Sequence, residues 1–219
     1  MDQQAFMKQV RDQIAAMKQA AQPGIEPWVT QKQKRDVLIE FFKHAAYAEY
    51  RSAISNARHF VKTPNDKPDL KEALAMEAHE EFQHFRVFAN QLTKLGVDYD
   101  PELYTPVPAW KEYFDNQEFA RDGLEKIAAE NIGGEPRAVA WLERVAAEGA
   151  EEMLREIAHP QLEDEYGHEQ VGLQLIEKYA TDSEIQERFL AIAAKQQKLV
   201  VLAQQQLNER LGVKRGQAA

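Results

Sequence analysis

The 219-residue chain contains no cysteine. That excludes disulfides, thiolate nucleophiles, zinc ribbons and Cys-ligated iron–sulfur or rubredoxin-type centres, and it leaves oxygen and imidazole as the only metal ligands. No apolar run approaches the roughly 20 residues that span a bilayer, and the opening MDQQAFMKQVRDQ lacks the charged-then-apolar layout of a signal peptide. A cytoplasmic protein that does not enter a membrane is expected. Excess positive charge is missing too: 27 Lys and Arg stand against 36 Asp and Glu, a net charge of -9 with the two signs interleaved, which argues against nucleic acid as a partner. Strand-like alternation is absent.

What the chain has is helical periodicity with clear punctuation. Phe6, Val10, Ile14 and Met17 recur at helical spacing until PGIEPW, where the prolines are predicted to end a first helix. Thr30 with Gln33 reads as a capping box for a helix running to about Val61, ahead of the turn Thr63-Pro64-Asn65-Asp66; Asp69 with Glu72 repeats the signature, and Gly96 closes the next helix. Residues 97–110 are proline-rich and long enough to cross the molecule. A third helical region starts between Trp110 and Asn116, is interrupted at Gly133-Gly134-Glu135-Pro136, and resumes from Arg137 to Tyr179 with weak points at Gly149 and Pro160. Ser183 with Gln186 caps a last helix that ends at Gly212. This layout predicts an all-α protein: a four-helix bundle of two hairpins joined by a long crossover (residues 30–180), an N-terminal helix and connector (1–29), and a C-terminal helix (181–219) that packs on the bundle or forms a homodimer interface.

One stretch does not fit an ordinary core. In LEDEYGHEQVG, Glu165 and His168 lie within the apolar and small stripe of Leu154, Ala158, Leu162, Gly172 and Ile176. Glu81-Phe82-Gln83-His84 repeats the Glu-x-x-His pattern on a stripe with Leu74, Ala78, Phe85 and Phe88, which also carries Glu77. Positions i and i+3 project to one side of a helix, so a carboxylate and an imidazole can reach the same metal ion. With 25 Glu and six His, some pairs at this spacing arise by chance. Glu156 with His159 is such a pair, on the opposite, charged side of its helix.

A dinuclear site in a bundle needs one more carboxylate from each of the other two helices. Two residues at one level of an antiparallel hairpin are equidistant from the turn. Midway between Glu49 and Glu81 is residue 65, inside the turn, and Glu49 is flanked by Phe42, Ala45, Ala46, Ser52 and Ala53; Glu40 misses on both counts. Opposite Glu165, both Glu130 and Glu135 place the midpoint near Gly149. Glu130 is preferred because it lies in the continuous helical run among Gly123, Ile127, Gly133 and Gly134, with Glu135, at the Gly-Pro break, as the alternative. A helix distorted just after residue 130 could leave room for a substrate. Glu49, Glu81, His84, Glu130, Glu165 and His168 make a set suited to two divalent ions of the iron or manganese type.

These residues resemble the ferritin-like superfamily of non-haem dinuclear carboxylate proteins over roughly residues 30–180. The resemblance implies a ferritin-like bundle with an iron–iron or manganese–iron centre that reacts with oxygen or peroxide. The missing cysteines rule out a complete rubrerythrin, and Phe88 stands where a reductase radical tyrosine is expected. HEEFQHFRVFANQLTKLG is also similar to the second helix of ferritin-like hydroxylases. The expected function is an oxidoreductase acting on a small apolar organic substrate with an external electron donor; a ferroxidase or iron store without organic substrate is the alternative, and a bundle merely braced by metal a third reading. The haem-oxygenase-like di-metal oxidases are similar in placing Glu77 seven residues before His84, but they carry a histidine where this chain has Gln161. Asp164 and Glu77 are candidates to hold the outer histidine nitrogens. Tyr47, Tyr50 and Tyr166, beside the motifs, and His44, His59 and His79 read chiefly as packing or surface residues.

Overall fold

The computed structural model describes residues 1–213, so the last six positions of the predicted 181–219 segment lie outside the described residues. All regular structure among them is helical: α1 (Gln3–Thr30), α2 (Arg35–Lys62), α3 (Pro68–Lys94), a 3₁₀ turn (Pro101–Leu103), α4 (Pro108–Glu118), α5 (Gly123–Ile127), a π-helical turn (Ala128–Ile132), α6 (Glu135–Glu148), α7 (Glu152–Tyr179) and α8 (Ser183–Leu211). Helices α2 and α3 pack along each other, as do α6 and α7; α1 lies against α6 and α8, and α8 also covers α4. No helix is long and apolar enough to cross a membrane.

Several boundaries differ from the sequence-based expectation, each for a physical reason. Helix α1 does not stop at PGIEPW; it continues through Pro23 and Pro27. An interior proline costs about 3 kcal/mol, but Ile25, Trp28 and Val29 are buried in one cluster with Phe41, Ala140 and Trp141, and each such side chain contributes about 1.5–3 kcal/mol. Thr30 is therefore the end of α1, its hydroxyl donating to Glu26 O at 2.9 Å, rather than the cap of α2, which begins at Arg35. Pro68, with its preset φ, starts α3 one residue ahead of Asp69. Asp182 rather than Ser183 caps α8, accepting from Ile185 N at 2.9 Å. Gly96 and Gly212 do close their helices, with φ of 71° and 66°. Pro160 sits inside α7 without ending it, whereas Gly149 terminates α6.

The third helical region is the most altered. It comprises α4, a short break, and a second run in which the hydrogen-bond pattern slips at Ala128–Ile132 into a π turn before Gly133 and Gly134. A side chain at Gly134 would fall on the Tyr113 hydroxyl, and a Cβ at Gly172 would lie 2.6 Å from Asn131 Cβ. These two glycines let α4 and α7 close on the distorted turn.

Candidate metal centre

Four helical segments converge on a buried set of acids and imidazoles. From α2, α3 and α7 come Glu49, Glu81, His84 and Glu165, each offering one ligand atom within 4.8 Å of the others; Glu81, Glu135 and His168 form a second group by the same measure. Glu81 belongs to both. Glu81, His84, Glu135, Glu165 and His168 are all at least 95% buried.

Each histidine turns Nδ1 inward. His84 Nδ1 lies 3.9 Å from Glu81 Oε2 and 3.7 Å from Glu165 Oε1; His168 Nδ1 lies 3.2 Å from Glu135 Oε1 and 3.7 Å from Glu81 Oε1. These are not hydrogen bonds: both Nδ1 atoms, Glu81 Oε2, Glu165 Oε2 and both Glu135 oxygens have no hydrogen-bond partner. Buried polar atoms left unpaired in a group need an explanation. Donor atoms bound to one ion at about 2.1 Å sit roughly 3–4 Å apart, which matches these separations. The buried clusters could hold a metal ion.

The opposite ring nitrogens are held from outside. His84 Nε2 pairs with Asp164 Oδ2 at 3.0 Å and His168 Nε2 with Glu80 Oε2 at 2.9 Å, which presents Nδ1 inward as a lone-pair donor. Asp164 was anticipated in this role and Glu80 was not; Glu77 has other partners. The signal was present in the sequence, since Asp164 precedes Glu165 as Glu80 precedes Glu81. Each leading acid orients the histidine of the other motif. Replacing Asp164 by Ala is expected to weaken metal binding at the His84 subsite by about 10–100-fold, and Glu80→Ala to do the same at the His168 subsite, measured by competition with a chelator. Equal loss at both subsites in either variant would contradict this crossed pairing.

Glu130 joins neither group, although it lines the cavity beside them. Its carboxylate accepts from Ser52 Oγ at 2.7 Å and Asn56 Nδ2 at 3.1 Å, and pairs with the Lys126 ammonium. Lys126 is fully buried, donates also to Asn56 Oδ1 at 2.5 Å and lies 4.0 Å from Glu77 Oε2. Glu77 accepts from Asn131 Nδ2 at 2.7 Å, and Asn131 also donates to His168 O at 2.8 Å. The preference for Glu130 over Glu135 is thus reversed in the arrangement of atoms: Glu135 joins the cluster and Glu130 joins a buried lysine. The cause is the π turn. Its i+5 bonding puts one extra residue into the turn, so residues after it, Glu135 among them, face differently from where a regular helix would place them.

Charge repulsion fills the site. Burial pushes the Glu49 carboxyl up to about 7. Burial, with Glu49 as neighbour, raises Glu81 well above the usual carboxylate range, and burial with Glu81 and Glu135 does the same to Glu165. Burial lowers His84; at His168 it is outweighed by Glu135, Glu80 and Glu77, which hold that imidazole well above its ordinary value. Burial and mutual repulsion keep protons on these carboxyl groups, against the opposing pull of His168.

Beside the cluster is a cavity of about 100 Å³. Glu49, Glu81, Glu130, Glu135 and Glu165 line it together with Phe41, Phe88, Trp110, Tyr113 and Trp141. Tyr113, which the sequence reading missed, is the buried tyrosine here; burial, Glu135 and Glu81 raise its hydroxyl well above 10. Tyr50 and Tyr166 bond instead to Glu102 and Glu143. His44 and His59 are buried, His79 and the Glu156–His159 pair exposed. Comparison with protein-family models and with curated proteins finds no match.

Proposed function

We propose that the chain is a ferritin-like, non-haem dinuclear oxidoreductase, loaded with iron–iron or manganese–iron, that activates oxygen or peroxide against a small organic substrate. The observation that carries this reading is the pair of unsatisfied ligand groups sharing Glu81 and opening onto an aromatic-walled cavity. Glu49, Glu81, His84 and Glu165 would hold one ion and Glu81, Glu135 and His168 the other, Glu81 being a member of both groups. Two redox-active ions, when bound, would supply electrons for the reduction of oxygen. The protein's part is to fix the ligands through Asp164 and Glu80, keep bulk water from the reacting face with Phe41, Phe88 and Trp141, and place a substrate against the carboxylate side.

The cavity favours this reading over iron storage, which needs no room for an organic molecule. The haem-oxygenase-like alternative draws less support, because Glu77 is bonded to Asn131 and faces Lys126. The test is anaerobic loading with Fe(II), alone and with Mn(II), followed by elemental analysis and oxygen uptake with ascorbate as reductant. About two metal ions per chain, unchanged by excess Fe(II) in air, together with reductant-dependent oxygen consumption, is the expected result. Accumulation of many ferric ions per chain would transfer the reading to storage, and absence of oxygen uptake would end it.

A further inference from the structure

Residues that line the cavity also carry four buried nitrogen atoms with no hydrogen-bond partner among the described residues: Arg137 Nε, Trp141 Nε1, Gln161 Nε2 and His44 Nε2. The first three can only donate, and His44 Nε2 donates in one tautomer. His44, Trp141 and Gln161 are 4%, 5% and 3% exposed. Unpaired donors gathered around one cavity mark the place of a ligand that accepts.

Arg137 is the charged member. No carboxylate among the described residues pairs with it, and its Nη2 donates to the amide oxygen of Gln204. Nε and Nη2 form the edge of the guanidinium that grips both oxygens of a carboxylate; Gln204 occupies half of it with a single neutral acceptor. Gln204 approaches from a second space, a cleft of about 720 Å³ between α1 and α8 that Arg137 also lines. It is held there by donating to Asn208 Oδ1 at 2.8 Å, and Gly24 makes room for it, since a Cβ at that position would lie 2.6 Å from Gln204 Cγ. Arg137 therefore stands between an outer cleft and the cavity at the metal centre.

We propose that the cavity takes a small organic carboxylate, gripped on the Nε/Nη2 edge of Arg137 with its hydrocarbon part against the aromatic wall, and that Gln204 is the acceptor it displaces. The substrate role of this ligand rests on the oxidoreductase reading above; its binding does not. A monoanion matches the single guanidinium. A phosphate dianion would be left under-neutralised in a cavity that Glu49, Glu81, Glu135 and Glu165 also line. A volume of about 100 Å³ suits a chain of a few carbons, and a neutral amide or alcohol cannot fill both positions of the edge with charged acceptors.

The experiment is calorimetric titration of the full chain, metal-loaded and chelator-stripped, with butanoate, butanamide, butanol and inorganic phosphate. Butanoate is expected to bind roughly tenfold or more tightly than the other three. Arg137→Met should weaken it by a similar factor in both metal states, Arg137→Lys by less, and Gln204→Met should tighten it by freeing Nη2, a gain that stays readable if Arg137→Met fails to fold. Equal affinity for the neutral compounds, tighter phosphate binding, no effect of Gln204→Met, or butanoate binding that survives Arg137→Met and vanishes with the metal would each overturn the proposal. Butanoate binding without any oxygen uptake would leave it standing and remove the oxidoreductase reading instead.

Discussion

Glu81→Ala is expected to reduce the metal content of the protein from about two ions per chain to none, whereas His84→Ala and His168→Ala should each remove about one. Only Glu81 contributes to both ligand groups, so its loss opens both subsites, while each histidine serves one. Elemental analysis after equilibrium dialysis decides the matter, and a Glu81→Ala protein that retains two ions would remove Glu81 from the shared position. Stability should move in opposite directions with and without metal. Without metal, replacing a buried carboxylate whose pKa is raised by burial and by Glu49 relieves repulsion, so Glu81→Gln should melt higher than the unaltered protein at neutral pH. With metal it should melt lower, because binding to the folded state alone adds RT ln(1 + [L]/Kd), about 2.7 kcal/mol at a hundred times Kd.

The pH dependence follows from the same groups. Glu49 has a folded pKa of about 7 against 4.5 for an ordinary glutamate, so the folded state binds more protons across that interval. Its contribution is fully present below about pH 4.5 and is lost as pH climbs through 7, at a cost on the order of 3 kcal/mol. Glu81 and Glu165 are raised in the same direction. The melting temperature of metal-free protein should fall from pH 4.5 to 7 as far as these groups govern it, and saturating metal should suppress that fall. A metal-free protein that gains stability across this window through the site would contradict the assignment.

Lys126→Met should be the most damaging substitution outside the cluster. It leaves the Glu130 carboxylate buried at 1% exposure with only Ser52 and Asn56 as donors, and breaking one side of a buried ion pair costs about 3–5 kcal/mol. For a chain of this length that is a fall in Tm of roughly 6–20 °C. Adding Glu130→Gln to Lys126→Met should restore most of it, and a denaturation cycle on the four proteins reads the coupling directly. Glu130→Gln alone should keep the full metal content, while Glu135→Gln should lose an ion. The reverse pattern would return Glu130 to the ligand set.

The sequence ranks Glu135 behind Glu130 for a physical reason. Counting from the hairpin turn places both acids near the level of Glu165, and a regular helix favours Glu130, which lies in the continuous helical run GLEKIAAENIGG. The glycines and proline after residue 132 announced a distortion here, but not that the π turn at Ala128–Ile132 would change the rotation so that Glu135 enters the cluster. Lys126 was hidden for a related reason. Lys126 and Glu130 at i and i+4 look like an exposed helical ion pair, and only packing against Asn56, Glu77 and Ser52 turns them into a buried one.

Local chemistry made other features legible. Helical periodicity, the absence of strand patterning and of cysteine, and the closing glycines at 96 and 212 follow from side-chain shape and backbone freedom within a few residues. The two Glu-x-x-His motifs and the mirrored Glu49 were readable because i, i+3 projection and equal distance from a turn hold for any straight helical hairpin. The paired acids Glu80-Glu81 and Asp164-Glu165 were there to be read as well. The sequence by itself thus determined a helical bundle with carboxylate and imidazole groups turned inward. Tertiary structure alone decided which acids meet, that α1 runs on through two prolines, that each histidine is held by the acid of the opposite motif, and that Arg137 stands between cleft and cavity. Those outcomes depend on contacts between segments far apart in the chain, where burial outweighs local propensity and one extra residue in a turn changes which side chain faces the centre.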